Sequence, residues 1–425
     1  MARGCAAQAD GSSHRTDNPL FASIRALADE DPIFAPDITS FSRSIPTVLK
    51  ELKFNSLHRK RSLFIWSCDD FRNFAELCFE EFGDRIKHWI TVNEPYIFII
   101  CGYDGGFAGN FAPGRCSSPD NCVQGDSATE PYIAAHHMLI CHASTIKLYK
   151  EKYQETQKGE IGITQVSNWM VPHSSTKLDI EAAQRALDFM YGWLVNLFQI
   201  ICRLIFTSIL TESLPKTYKY LHNVYGDYPE IMKSLIGNRL PNFTKEESSL
   251  LKGSFDFLGV NYYTATYASH ISSPNSNITS TTDNMVHFSS DIEGVPIGDP
   301  TGVNGFYVYP EGLYELLIYT KENYNNPTIY ITETGIGDQN NGDVENGIKD
   351  VQRIDFYNRH IRGVLQAIQQ GVNVKGFFAW SFLDNFEWVS GYTIRFGLCY
   401  VDHENGLKRI PKQSALWFKN WLTMK

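Results

Sequence analysis

The stretch His88-Trp-Ile-Thr-Val-Asn-Glu-Pro95 predicts a buried strand that ends abruptly in a carboxylate. Apolar and β-branched residues dominate it, as is typical of strands inside a sheet. Pro95 cannot donate a hydrogen bond to a neighbouring strand, so the strand has to stop at Glu94. We therefore expect a charged side chain where the chain leaves the core.

The rest of the chain alternates strands with helices. Further buried strands are predicted at Glu160 to Val166, Phe255 to Asn261, Thr328 to Thr332 and Val374 to Ser381. Helices are predicted at Asp70 to Phe82, Pro131 to Tyr153, Ile180 to Phe198, Pro310 to Tyr324 and Val351 to Gln370. This order favours a parallel sheet with crossover helices, either doubly wound or closed into an eight-stranded barrel. No Gly-x-Gly-x-x-Gly motif follows a strand, which disfavours a dinucleotide-binding fold.

Composition excludes several classes of protein. Of 425 residues, 43% are hydrophobic and 20% are charged, so disordered and collagen-like chains are excluded. The 38 basic and 47 acidic residues give a net charge of -9 without a basic patch, which disfavours a nucleic-acid partner. The apolar stretch Gln199 to Asn223 holds Arg203 and is too short for a membrane span, so a buried helix is favoured there. No spacing of Cys and His predicts a metal site, and we expect no cofactor.

A second carboxylate follows the pattern of the first. Glu333 stands at the end of the strand in Tyr330-Ile-Thr-Glu-Thr-Gly335. Either glutamate alone could be a solvated strand end. Two carboxyls that face each other at the carboxyl ends of parallel strands, however, are the equipment for glycoside hydrolysis.

The loop after the last strand favours the same chemistry. Trp380-Ser-Phe-Leu-Asp-Asn-Phe-Glu-Trp388 places Glu387 between aromatic side chains. A carboxylate can bind sugar hydroxyls while the aromatic faces pack against the ring. Core packing alone does not explain a charge at this position.

These motifs resemble those of glycoside hydrolase family 1, the retaining β-glucosidases, and most closely its plant members. Thr-Val-Asn93-Glu94-Pro95 is similar to the acid/base signature, and Ile-Thr-Glu333-Thr-Gly335 to the nucleophile signature. Further matches are Phe257-Leu-Gly-Val-Asn-Tyr-Tyr263, the loop Trp380 to Trp388, Phe396-Gly-Leu398, Gly114-Arg-Cys116 and Gly125-Asp-Ser-Ala-Thr-Glu-Pro131.

The resemblance implies a (β/α)8 TIM barrel in which the five predicted strands are numbers four to eight. It implies that Glu94 is the general acid/base and that Glu333 is the nucleophile, with carboxyls ~5 to 5.5 Å apart and retention of configuration. It also implies a set of substrate-binding residues: Asn93, Asn261, Tyr263, Trp380, Glu387, Trp388 and Phe396. The substrate would be a terminal β-D-glucosyl residue of an O-glycoside, because the thioglucosidase branch has Gln in place of Glu94. Glu387 would repel a 6-phosphate, so we expect an unphosphorylated sugar.

The N-terminal part departs from the family. Residues 1–68 lack the Gln of the first strand and the His-Trp pair of the third strand; His58 is followed by Arg59. We therefore expect a barrel over residues 69–425 that is incomplete or altered at strands 1–3, with an atypical insertion at about 199–223. A catalytically silent family member or truncated gene product, with at most residual sugar binding, is the alternative.

Several smaller features bear on processing. Cys116 and Cys122 lie in one short loop, where they form either a disulfide or two free thiols. Asn242-Phe-Thr and Asn277-Ile-Thr are glycosylation sequons. The chain shows no signal peptide, whereas the resemblance implies the secretory pathway, with the extracellular space, vacuole or endoplasmic reticulum as destinations. We expect a small β-glucoside as the partner, and neither nucleic acid nor a membrane.

Overall fold

The computed structural model describes residues 67–105, 111–118, 122, 124–196, 226–273 and 278–423. The predictions about residues 1–66, the stretch 199–223 and Asn277 lie outside these described residues. No helix in this part of the chain combines the length and the apolar character needed to cross a membrane.

The centre of the described structure is a sheet of five parallel strands. All five predicted strands are present, and the bounds differ by a few residues. The strands of this sheet are β1 (His88–Asn93), β2 (Glu160–Val166), β4 (Phe257–Asn261), β11 (Ile329–Thr334) and β13 (Val374–Ala379). Each pairs in parallel with the next.

The strands stand in the sheet in the order of the sequence, β1-β2-β4-β11-β13. In a doubly wound sheet the order reverses at a switch point. Here every crossover steps in the same direction, and right-handed crossovers therefore put all the helices on one face. This is the strand arrangement of a barrel wall.

The helices of the crossovers match the predicted positions closely. The α-helices are α1 (Cys68–Phe82), α2 (Pro95–Tyr103), α3 (Glu130–Lys152), α4 (Gln154–Gln157), α5 (Lys177–Leu187), α6 (Trp193–Val195), α7 (Glu230–Ile236), α8 (Lys245–Leu251), α9 (Pro310–Asn323), α10 (Val344–Ile348), α11 (Val351–Gln369) and α12 (Gln413–Thr423). The helix predicted over Ile180 to Phe198 is divided, because the π-helical turn Asp188–Gly192 separates α5 from α6.

Short strands form separate small sheets outside the central sheet. Strands β3 (Trp169–Pro172), β5 (Ala265–His270) and β6 (Val286–Ser289) form a three-stranded sheet. The remaining strands pair two by two: β7 (Asp291–Ile292) with β8 (Val295–Pro296), β9 (Asp299–Pro300) with β10 (Tyr307–Val308), β12 (Asp338–Gln339) with β14 (Ile394–Arg395), and β15 (Cys399–Asp402) with β16 (Lys408–Pro411).

The main core lies between the sheet and its helices. Strand residues such as Ile163, Leu258 and Ile331 are at most 1% exposed and belong to one apolar cluster with Leu139 of α3 and Leu316 of α9. Burying such side chains stabilises a fold by ~1.5 to 3 kcal/mol each. This layer holds the strands in register and so fixes where their carboxyl ends lie.

Two disulfides are present in the described residues. Cys116 and Cys122 are joined, with Cα atoms 5.4 Å apart, so the disulfide alternative is correct. A second bond joins Cys68 at the start of α1 to Cys141 in α3. The sequence did not predict this second bond, because 73 residues separate the cysteines and no motif surrounds them.

Gln165 in β2 is a polar residue within the apolar layer. It is fully buried, and it pairs in register with Val260 and lies two residues from Ile163, both of which are core residues on the same face of the sheet. Neither its side-chain nitrogen nor its oxygen has a hydrogen-bond partner in the described structure. A buried polar group without a partner costs stability.

We predict that Gln165→Leu raises the free energy of unfolding by about 1 to 3 kcal/mol, because it removes this desolvation cost at similar volume. The matched control is Gln154→Leu. The Gln154 amide nitrogen donates to Asp256 at 2.7 Å and to the Gly159 carbonyl oxygen at 3.0 Å, so this change should destabilise the protein. Thermal and denaturant unfolding measure both effects, and a Gln165→Leu protein that is no more stable than wild type contradicts the prediction.

Candidate active site

Glu94 lies where β1 ends and α2 begins. Its backbone adopts the left-handed conformation (φ 49°, ψ 55°), and its N–H donates to the Thr164 carbonyl oxygen of β2 at 3.0 Å. A non-glycine residue in this conformation carries strain of order 1 to 3 kcal/mol, as occurs at functional sites. The turn keeps the Glu94 side chain at the edge of the sheet while Pro95 starts the helix.

Glu333 lies inside β11, whereas the sequence placed it just after the strand. It pairs in register with Asn261 of β4, and its carbonyl oxygen accepts a hydrogen bond from the Tyr262 N–H at 2.9 Å. The Tyr263 hydroxyl donates to the Glu333 carboxylate at 2.7 Å. Tyr263 is one of the substrate-binding residues that the resemblance implies, and the structure places its hydroxyl against Glu333.

A buried amide links the two glutamates. The Asn261 side chain is fully buried, and its nitrogen donates to the Glu94 carboxylate at 2.7 Å and to the Asn93 side-chain oxygen at 3.2 Å. Its oxygen accepts from the Thr332 hydroxyl at 2.6 Å. Thr332 thus fixes the orientation of the amide, and it is a residue that the sequence analysis did not single out.

The electrostatic environments of the two carboxyls differ. Burial raises the pKa of Glu94 to about 7, with the negative charge of Glu333 adding to the effect, and one hydrogen bond from Asn261 opposes it. Burial also raises the pKa of Glu333, but hydrogen bonds from Tyr263, Asn261 and Asn93 oppose this rise. The acid/base role that the resemblance implies for Glu94 requires a carboxyl able to hold a proton near neutrality. Glu333 is the carboxyl with more hydrogen-bond donors.

Glu387 forms the third acidic group of the site. Its negative charge raises the pKa of both Glu94 and Glu333, so the three carboxyls share one region. The Asn385 side-chain nitrogen donates to the Glu387 carboxylate at 2.9 Å. Asn385 is a second residue that the analysis missed, although it lies only two positions from Glu387 in the same motif.

The loop 380–388 packs closely against the end of β11. The Trp380 N–H donates to the Thr334 carbonyl oxygen at 2.8 Å, and the peptide bond that follows Trp380 is cis. A Cβ at Gly335 would overlap the Trp380 carbonyl oxygen. Glycine at 335 therefore allows the loop 380–388 to approach the strand that carries Glu333.

The remaining predicted aromatic residues differ in exposure. Phe396 is buried, and its ring lies edge-on to Tyr263 with centroids 6.1 Å apart. Trp388 is 64% exposed and stacks on Phe111 at 5.2 Å. Phe111 precedes the Gly114-Arg-Cys116 motif, and no spacing in the sequence connected it to Trp388.

The other predicted positions lie outside this cluster. Asn242 is exposed, two residues before the Thr244 hydroxyl that caps α8. Arg115, which precedes Cys116, forms an ion pair with Glu130. Among the described residues, no group of three His, Cys, Asp or Glu side chains could hold a metal ion.

We predict that Glu333→Gln lowers the pKa of Glu94 from about 7. Removing a nearby negative charge favours the ionised form of Glu94, whereas its burial remains and keeps the pKa above its ordinary value. NMR titration of ¹³C-labelled glutamate carboxyls, assigned with Glu94→Gln, measures the shift. Glu345→Gln on the exposed helix α10 is the control, and an unchanged Glu94 pKa in Glu333→Gln contradicts the prediction.

Comparison with known proteins gives the family context of this site. A profile described as Glycosyl hydrolase family 1 matches residues 35–201 and 211–425. These ranges begin within the region 1–68 that lacks the quoted motifs, and they break inside the predicted insertion.

Individual relatives are plant and microbial enzymes. Furcatin hydrolase of Viburnum furcatum is 51% identical over 352 residues, which cover 83% of this chain and 60% of that protein. Beta-glucosidase 12 of Oryza sativa is 47% identical over 392 residues, covering 91% of this chain and 70% of the relative. The chain therefore spans only about 60 to 70% of the length of these relatives.

Solved structures match as well. A mutant of the rice β-glucosidase Os3BGlu6, described as a covalent complex with Glc, superimposes with a TM-score of 0.74 at 41% identity, over 83% of this chain and 70% of that one. The β-glucosidase of Thermotoga maritima matches with a TM-score of 0.66 at 31% identity, over 84% of this chain and 67% of that one. These neighbours have the (β/α)8 fold, which confirms the predicted fold class. The chain belongs to glycosyl hydrolase family 1.

Proposed function

We propose that the chain is a retaining β-glucosidase, which hydrolyses terminal non-reducing β-D-glucosyl residues of O-glycosides by double displacement. The observation that carries the proposal is the pair Glu94 and Glu333 at one sheet edge, in environments that suit a proton donor and a nucleophile. The names of the relatives, furcatin hydrolase and β-glucosidase, support the substrate class.

In the first step, the Glu333 carboxylate attacks the anomeric carbon and the glycosidic bond breaks. Glu94, with a pKa of about 7, gives its proton to the departing oxygen, so the aglycone leaves as a neutral alcohol. The hydrogen bond from Tyr263 holds the attacking carboxylate in place. The product of this step is a glucosyl ester of Glu333.

In the second step, water replaces the enzyme at the anomeric carbon. The ester of Glu333 carries no negative charge, so one cause of the raised Glu94 pKa disappears and Glu94 stays ionised, the form that can accept the proton of water. Attack by that water releases β-glucose and regenerates both carboxyls. Two inversions give net retention.

The glycone contacts follow from the loop 380–388 and the residues around the two glutamates. We propose that Glu387 binds sugar hydroxyls and that Trp380 and Trp388 pack against the ring. Asn93, Asn261, Tyr263 and Phe396 complete the proposed sugar site. The carboxylate of Glu387 disfavours a phosphorylated sugar by charge repulsion.

We predict that a 2,4-dinitrophenyl 2-deoxy-2-fluoro-β-glucoside labels Glu333 covalently, because the fluorine slows both steps whereas the good leaving group speeds only the first, so the glucosyl ester accumulates. Intact mass and peptide mapping measure the adduct. Glu333→Gln should give none, and Glu345→Gln should label like wild type. A folded wild-type protein without an adduct would indicate the silent family member instead.

We also predict that Glu94→Gln lowers kcat/KM for aryl β-glucosides with poor leaving groups by ~10² to 10⁴, because the departing oxygen loses its proton donor. The loss should be much smaller for 2,4-dinitrophenyl β-glucoside, which leaves without protonation. Added azide should restore turnover and yield β-glucosyl azide, detected by NMR. Equal losses for both leaving groups would contradict the acid role of Glu94.

A further inference from the structure

A buried carboxylate lies within the loop that carries Glu387. Asp384 is 5% exposed, and its two oxygens accept hydrogen bonds from the Arg395 guanidinium at 2.7 Å and the Lys412 ammonium at 3.0 Å. The backbone N–H groups of Gly397 and Val401 donate to it at 2.9 and 3.2 Å. Four donors from three different segments therefore converge on one side chain.

The ion pairs continue towards the strand of the nucleophile. Arg353 of α11 is fully buried and pairs with Asp350 and Asp338. It also donates to the carbonyl oxygens of Ile336 at 3.0 Å and Arg395 at 2.9 Å. Ile336 and Asp338 follow Glu333 in the sequence, and Arg395 belongs to β14 and binds Asp384. Arg353 thus connects the segment after Glu333 to β14.

The charges of this ion network balance. Arg353, Arg395 and Lys412 carry three positive charges, and Asp338, Asp350 and Asp384 carry three negative ones. Breaking a buried pair by removing one partner leaves an uncompensated charge, which is strongly unfavourable. The geometry of each member is therefore tightly constrained by the others.

Asp384 is also the residue at which the loop 380–388 leaves the buried core. Up to that point the loop is bonded to the neighbouring segment, for example from the Ser381 N–H to the Phe396 carbonyl oxygen and from the Asp384 N–H to that of Cys399, both at 3.0 Å. Beyond it, the backbone bonds of Glu387 and Gly391 close within the turn itself. Trp388 at the tip is 64% exposed.

We propose that Asp384 is a positioning residue for sugar recognition: through the ion network it holds Glu387 and Trp388 at a fixed place beside Glu94 and Glu333. It does not contact the sugar itself. The inference rests on the proposed β-glucosidase function. It attributes the rigidity of the proposed sugar-binding loop to the ion network.

Hydrogen exchange of the whole chain, followed by mass spectrometry, tests the structural half. In Asp384→Asn, amides of residues 380–402 should exchange at least about tenfold faster, whereas those of β2 remain unchanged. Asp355→Asn, an exposed aspartate of α11 that pairs with Arg359, is the matched control and should change neither. Lys412→Met, which keeps the Asp384–Arg395 pair, should give a smaller effect in the same region. Unchanged exchange, or equal acceleration in β2 and the loop, overturns the proposal.

Kinetics test the functional half. The ratio of kcat/KM for an aryl β-glucoside to that for its 4-deoxy or 6-deoxy analogue reports contacts to the sugar hydroxyls, each a factor of about 10 to 150 for a bond to a charged group. This ratio should fall at least about tenfold for one analogue in Asp384→Asn, with active sites counted by the fluoroglucoside label. A lower count of active sites with an unchanged ratio shows a purely structural role and overturns the proposal.

The two proposals fail separately. A wild-type protein that gives neither label nor turnover refutes the β-glucosidase function. In that case binding of deoxynojirimycin, compared by calorimetry between wild type and Asp384→Asn, takes the place of the kinetic ratio. Affinity at least about tenfold weaker in the variant supports positioning by Asp384, and equal affinity, or a wild type that does not bind, overturns it.

Discussion

The parallel register of β4 with its two neighbours is the constraint on which the site depends. β4 pairs with β2 on one side and β11 on the other, and the pairing sets Glu333 beside Asn261. The bond from the Glu94 N–H to Thr164 then holds β1 against β2 at the same level. A register shift of one residue would turn every side chain to the opposite face. The apolar layer under the helices prevents such a shift, so packing far from the site determines where the two carboxyls lie.

The hydrogen-bond donors to the three carboxyls of the site are neutral groups, and the carboxyls differ in how many such donors they have. The described donors to Glu94, Glu333 and Glu387 are amides and a phenol, so they fix orientation without cancelling the charge. Burial and neighbouring negative charges raise the pKa of Glu94 and of Glu333, and a proton stays on the one with fewer donors, Glu94. A lysine or arginine among them would lower the pKa of Glu94 and remove its proton at neutral pH.

Sequence patterns predicted the parts of this arrangement that depend on local order. Buried strands and crossover helices follow from periodicity, and the two glutamates were found because each stands at the end of an apolar strand, the first of which Pro95 closes. The loop of Trp380 to Trp388 was evident from composition. Asn261 could be named only as part of a motif, because its bonds to Glu94 and Thr332 bring together three strands distant in sequence. The Cys68–Cys141 bond and the contact of Phe111 with Trp388 are likewise tertiary, and no spacing encodes them.

The balanced ion network and the unbalanced catalytic site are two uses of buried charge in one structure. In the proposed mechanism, the excess of negative charge in the site is relieved when Glu333 becomes an ester. In the ion network, which has three cations and three anions, no such driving force exists, and breaking a buried pair would leave an unpaired charge. On the proposed function, the first arrangement changes its charge with each catalytic step, whereas the second resists change. Because Asp384 joins the ion network to the loop of Glu387, the proposed roles are compatible: the electrostatics of the site would vary during turnover while the proposed sugar-binding groups stay in place.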